Sequence, residues 1–153
     1  MVYVDECGLD ETIRREYARS ERGRLVLSDI PGKRTARTSI IAGLRQGQPI
    51  APMYFEGYCN TDVVEVWLKE VLLPVLSPGQ TVIWDQASFH QSPRLRELIE
   101  SSGCRLIYLP AYSPDLNPIE QWWSALKARI RRLLKTLKMT IGDALCHLLK
   151  ADH

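Results

Sequence analysis

Apolar residues recur along this chain in two rhythms, and each predicts a different element. Short runs of β-branched and aromatic residues predict strands over residues 2 to 6, 81 to 85 and 104 to 109. Arg37 to Leu44 and Pro49 to Phe55 read as two more strands around Arg45-Gln46-Gly47-Gln48, a hairpin turn containing Gly, so the opening third is an antiparallel meander. Steps of three and four predict helices instead. Asn60, Thr61 and Asp62 offer capping side chains ahead of Val63, Val64, Trp67, Val71 and Leu72, and Ser77-Pro78-Gly79 stops that helix. Ser92 caps a second helix, with Pro93 at its first position, Leu95, Leu98 and Ile99 on one face, and Gly103 at its end. A long helix starts at Asn117 with Pro118 first and Glu120 third, and its apolar stripe runs through Ile119, Trp122, Trp123, Leu126, Ile130, Leu133, Leu134 and Leu137. A short helix over 141 to 150 closes the chain. The segment from residue 7 to 36 is polar and basic, with Leu25-Val26-Leu27 a short strand inside it.

Strand, helix, strand and helix alternate from residue 81 onward, which implies parallel neighbours joined by a crossover. The expected fold class is therefore α/β: three antiparallel strands extended by parallel ones, with helices on the faces of the sheet.

Composition narrows the field. With 153 residues, 45% hydrophobic and 25% charged, the chain suits one domain with a substantial core and does not suit a disordered or fibrous protein. No apolar run approaches the roughly 20 residues that span a bilayer, and Met1 leads straight into a strand, so a cytoplasmic protein with no membrane partner is expected. Net charge is only +2, but the positive residues cluster: Lys33, Arg34 and Arg37 near the start, and Lys127, Arg131 and Lys135 as a stripe on the long helix. Such clusters can meet phosphate even in a near-neutral protein, and the helical stripe has a plain solvated face as its alternative. The four cysteines show no CxxC pair and read as lone thiols in a reducing compartment.

Asp5 and Asp85 each close a strand run, where a side chain emerges between sheet core and loop, and Glu120 lies in the first turn of the long helix. Carboxylates placed there are costly unless something positive meets them. Three of them converging would hold a pair of divalent cations, hard ions that prefer oxygen ligands. Each acid also has a local alternative. Asp5 can cap a turn, and Glu6 beside it is another ligand, although strand alternation sends the two to opposite faces. Glu120 can close a capping box on Asn117. Asp115 reads as a turn former. Gln86 and His90, just after Asp85, are candidates for the layer of groups behind the acids, His90 near enough to hydrogen-bond such a group or a phosphate, with an exposed or purely structural role as its alternative. Trp122 and Trp123 read as core and rim.

Three blocks of this sequence resemble the catalytic domain of DDE transposases of the mariner superfamily and the related bacterial insertion-sequence transposases. They are Val2-Tyr3-Val4-Asp5-Glu6-Cys7-Gly8, Trp84-Asp85-Gln86-Ala87-Ser88-Phe89-His90, and Leu109-Pro110-Ala111-Tyr112-Ser113-Pro114-Asp115-Leu116-Asn117-Pro118-Ile119-Glu120. The 34 residues between the second and third acids, 86 to 119, match the interval typical of the bacterial members. Many relatives carry Asn where this chain has Gln86. The resemblance implies a ribonuclease-H-like mixed sheet with Asp5, Asp85 and Glu120 as catalytic and metal-binding residues holding two Mg²⁺ or Mn²⁺ ions. The implied activity is cleavage of DNA at transposon ends and strand transfer into target DNA.

Partners implied in the same way are DNA, a second copy of the chain when assembled on DNA, and a helix-turn-helix half encoded upstream. Full-length members carry that half before the first catalytic Asp, and here four residues precede Asp5. Residues 1–153 are thus expected to form a single catalytic domain, associated with the nucleoid when on DNA. The alternatives are another nuclease of ribonuclease-H fold, against which the proline-rich block speaks, and a truncated regulatory fragment of a transposase.

Overall fold

Strand β1, Val2–Leu9, alternates strictly: Val2 and Val4 turn to one side, while Asp5, Cys7 and Leu9 turn to the other. The structure, a computed structural model, describes residues 1–9 and 37–151. The expected strand at residues 25 to 27 and the candidate phosphate contacts Lys33 and Arg34 lie outside the described residues. β1 runs on to Leu9, three residues past its expected end, because β2 (Thr38–Arg45) pairs along its full length, with Leu9 opposite Thr38.

β2 returns as β3 (Gln48–Glu56) through a two-residue turn. Gln46 (φ 53°) and Gly47 (φ 77°) both adopt left-handed backbone, the turn whose twist suits a tight hairpin, and Gly takes the second position without steric cost. Two residues of β3, Ala51 and Pro52, stand against one of β2 where the register shifts between Ile41 and Gly43. Ala51 takes φ 53° there and turns its carbonyl to accept a 2.7 Å hydrogen bond from Trp67 Nε1. The bulge thereby satisfies the polar edge of a fully buried Trp.

Asn60 caps α1 (Thr61–Trp67) as expected, its Oδ1 accepting from the Val63 amide at 3.0 Å. The same helical path then widens to π geometry over Leu68–Leu72 and tightens over Leu73–Val75, keeping Leu68 and Leu72 in the core. β4 (Thr81–Trp84), α2 (Pro93–Ser101) and β5 (Arg105–Tyr108) form the expected parallel crossover. Ser92 precedes α2 but its side chain makes no capping bond there. Gly103 follows with φ 79°. α3 (Ile119–Leu137) ends on left-handed Lys138 and turns into α4 (Ile141–Ala151), which is capped reciprocally by Thr140 and Asp143.

The described strands make one sheet in the order β3-β2-β1-β4-β5, antiparallel through its first three members and parallel through its last three. The mixed topology matches the ribonuclease-H-like expectation. On one face Val2, Val4, Val82 and Trp84 pack against α1, its π turn and α2. On the other Cys7, Leu9, Ile40 and Leu44 pack against α3 and α4 through Ile119, Trp123, Leu126, Ile130 and Leu145. Each fully buried Ile or Leu in these layers contributes about 1.5–3 kcal/mol of apolar transfer free energy. The four cysteines are free thiols, and no described helix is long and apolar enough to cross a membrane.

Candidate active site

Parallel pairing puts Val2 beside Val82 and Tyr3 beside Ile83, so two further steps bring Asp5 and Asp85 level on the two central strands. β4 ends at Trp84, one residue before Asp85. The two acids thus stand level, Asp5 within β1 and Asp85 one residue past the end of β4. α3 starts beside them and carries Glu120 in its first turn. All three carboxylates line a single cleft of about 400 Å³, walled also by Gln86, Ala87 and the loop from Leu109 to Asn117. Tyr112 on that loop is fully exposed and holds φ 56°.

Asp5 is buried, 7% exposed. Burial pushes its carboxyl up to about 7, the charges of Glu6 and Glu120 push the same way, and a hydrogen bond from Trp123 works against them. That bond, Trp123 Nε1 to Asp5 Oδ2 at 2.9 Å, joins α3 to β1. Trp123 lies three residues after Glu120, on the same helical face, so one helix presents an acid to the cleft and an N–H donor to the neighbouring acid.

Asp85 is in a different setting. Its side chain is 45% exposed, and its Oδ1 accepts from the Ala87 amide at 3.3 Å and from His90 Nδ1. Partial burial raises its pKa, but the hydrogen bond and charge of His90 outweigh that and leave it lowered. His90 itself is fully buried, in a short helical turn over Ser88–His90. Burial alone would lower the imidazole pKa; the hydrogen bonds and charges of Asp85 and Glu6 overcome this and push it up to about 9. His90 Nε2 stands 2.9 Å from Glu6 Oε2, an ion-pair contact. The exposed alternative for His90 is thereby excluded. Both acids of β1 serve this corner from opposite faces, Asp5 at the cleft and Glu6 at the imidazole.

Glu120 is exposed, and its carboxylate makes no hydrogen bond among the described residues. The capping box that was its local alternative does not form, because the Asn117 amide donates to Pro114 O at 2.9 Å instead. Asn117 keeps a capping role, accepting from the Ile119 amide at 3.4 Å. Gln86 is exposed at the cleft, and its carbonyl accepts from Gln91 Nε2 at 2.8 Å.

Among the described residues no three His, Cys, Asp or Glu side chains converge tightly enough to form the cage of one ion. Asp5 is drawn to an indole and Asp85 to an imidazole. The donors are all carboxylate oxygens, the set that fits Mg²⁺ or Mn²⁺ and does not fit a softer metal.

The candidate DNA contacts divide. Arg37 lays its guanidinium over the Tyr58 ring at 4.6 Å and against Gly8, where any Cβ would collide with it. Lys127 is half-buried with its ammonium beside the Cys7 thiol, whose pKa burial pushes up and Lys127 pulls back. Arg131 and Lys135 are exposed farther along α3. Sequence reasoning missed the bond from Trp123 to Asp5 and the contact of Glu6 with His90. The signal for the first was present: a Trp on the buried stripe needs an acceptor for its N–H, and a nearby acid supplies one.

The family model described as DDE superfamily endonuclease matches residues 1–140. An uncharacterized protein of Sinorhizobium fredii, y4pE/y4sA, is 34% identical over 71 residues, 46% of this chain and 50% of that protein. The chain thus spans half the length of that curated relative. A crystal structure of the Mos1 mariner paired-end complex with Mn superposes with a TM-score of 0.60 at 18% identity, over 85% of this chain and 41% of that one. The catalytic core domain of BIV integrase superposes with a TM-score of 0.53 at 16% identity, over 71% and 70%. These likenesses establish a ribonuclease-H-like fold of the kind found in transposase and integrase catalytic cores.

Proposed function

Because the chain belongs to the DDE superfamily endonuclease family, we propose that it is the catalytic domain of a transposase, cutting DNA strands at element ends and joining the freed 3′-hydroxyl to target DNA. One observation carries this reading: acids from three distant chain segments, Asp5, Asp85 and Glu120, line one cleft at the edge of the sheet. The Mos1 mariner paired-end complex, whose crystal structure contains Mn, supports the choice of metal.

Two Mg²⁺ or Mn²⁺ ions would be held by Asp5, Asp85 and Glu120, and when bound they supply activation of the attacking hydroxyl and stabilisation of the leaving oxygen. The chain's own residues do the rest. Trp123 fixes the orientation of Asp5. The Leu109 to Asn117 loop walls the cleft beside the acids. Lys127, Arg131 and Lys135 extend positive charge along α3 away from Glu120, a path that fits a DNA backbone. Arg37 is already engaged with Tyr58 and takes no part in this reading. Joining two element ends calls for two such sites, so the chain is proposed to act as a homodimer on DNA.

The test is a strand-transfer assay with Mn²⁺ on DNA already nicked at the element end, which bypasses recognition of the ends. Joined product from the wild-type chain and none from Asp85→Ala supports the proposal. Cleavage of RNA–DNA hybrids or of branched junctions without joining would sink it in favour of another nuclease of the same fold.

A further inference from the structure

We propose that His90 is a positioning residue that clamps Asp85 so that one chosen oxygen faces the cleft. This rests on the reading of Asp85 as a metal ligand. Both interactions of the Asp85 carboxylate with described residues fall on Oδ1, from His90 Nδ1 and from the Ala87 amide. Oδ2 is the oxygen left for the cleft. Asp85 lies just beyond the end of β4 with a side chain 45% exposed, so neither the sheet ladder nor close packing holds it. The rigidity has to come from its partner.

His90 has that rigidity. Its ring is fully buried and tilted 34° over the Trp84 ring with centroids 4.5 Å apart. Its carbonyl accepts a 2.6 Å hydrogen bond from Tyr108 Oη. Glu6 meets its far nitrogen at 2.9 Å. Residues from β1, β4 and β5 therefore fix one imidazole, and the imidazole fixes one carboxylate. The position of Glu6 also explains why two acids in succession sit on β1: the first faces the cleft, and the second anchors the ring that orients the acid of the next strand. Supporting groups of this kind typically change metal affinity or activity by about 10–100-fold when removed.

The test uses His90→Asn, whose amide nitrogen falls near the place of Nδ1, and His90→Gln, whose amide nitrogen falls near that of Nε2. Mn²⁺ binding by calorimetry and strand transfer on pre-nicked DNA are read together with the melting midpoint. The expected result is roughly 10–100-fold weaker Mn²⁺ binding and slower joining for His90→Gln, with His90→Asn within a few-fold of wild type. A packing role alone would not separate the two amides, so equal behaviour of both, or wild-type Mn²⁺ affinity in folded His90→Gln, overturns the proposal. If either variant fails to fold, the ¹⁵N shifts of the His90 ring in wild type and Asp85→Asn decide instead: a shift of Nδ1 supports the clamp, and an unmoved Nδ1 overturns it. Asp85→Asn separates the two levels. If that variant keeps full Mn²⁺ binding and joining, the DDE reading itself fails; if it loses both while His90→Gln keeps both, only the clamp fails.

Discussion

Asp5 within β1 and Asp85 just past β4 stand level with each other, yet one is buried against a neutral indole and the other is half-exposed against an imidazole carrying a proton. The same side chain is raised to about 7 in the first place and lowered in the second. In the metal-free protein, burial without a cation leaves Asp5 a stored electrostatic cost, whereas Asp85 has its cation built in as His90. One corner of the site waits for positive charge and the other already holds some.

The largest effect expected from testing this contrast is common to both corners. Asp5→Asn, Asp85→Asn and Glu120→Gln should each reduce strand transfer roughly a thousandfold or more, measured on pre-nicked DNA with Mn²⁺. The contrast appears in stability. At pH 8 Asp5→Asn should raise the stability of the metal-free protein by about 1–3 kcal/mol, since the amide removes a charge that burial disfavours. At pH 6 Asp85→Asn should lower it by about 1–2 kcal/mol, a figure discounted for the exposure of Asp85, because a buried cation loses its main partner. Opposite signs in denaturant melts uphold the comparison, and equal signs break it.

Trp123→Phe should cost about 1–3 kcal/mol by stripping Asp5 of its donor and should leave the His90 resonances unmoved in NMR spectra. The pH profile sharpens the contrast further. A folded-state pKa raised from 3.8 to about 7 at Asp5 means the native protein binds the proton more tightly than the unfolded chain does. Metal-free stability therefore falls as pH rises from about 4 to 7. Asp5→Asn should flatten that part of the curve and leave the fall between 6.5 and about 9 that belongs to His90. The smallest effect belongs to the α3 stripe: Arg131→Ala should lower the slope of log affinity for DNA against log salt by about 1, with no change in Mn²⁺ binding.

The strands, the hairpin and the helices were legible because each rests on local chemistry: Gln46-Gly47 accept left-handed backbone, Asn60 caps, and Val2, Val4, Val82 and Trp84 alternate along their strands. The three acids were legible because their sequence blocks are distinctive. What escaped was pairing across the sheet. The Glu6 contact with His90 spans two strands, and the Trp123 bond to Asp5 joins residues 118 positions apart, distances over which no periodicity reports. The local alternative for Glu120, a capping box on Asn117, is closed off by a contact of the same neighbourhood. The turn over Pro114–Leu116 supplies a carbonyl to the amide that Glu120 would meet in such a box.

The Trp123 indole has a mechanical result. It gears the rotation of α3 to β1, so the helical turn that carries Glu120 stays in register with Asp5 unless that bond breaks. Any adjustment of the gap between acids, whether to a larger ion or to successive steps of a reaction, then falls to the exposed side chain of Glu120. The site behaves as a vice whose jaws at Asp5 and Asp85 are held, and its travel is the reach of the Glu120 side chain.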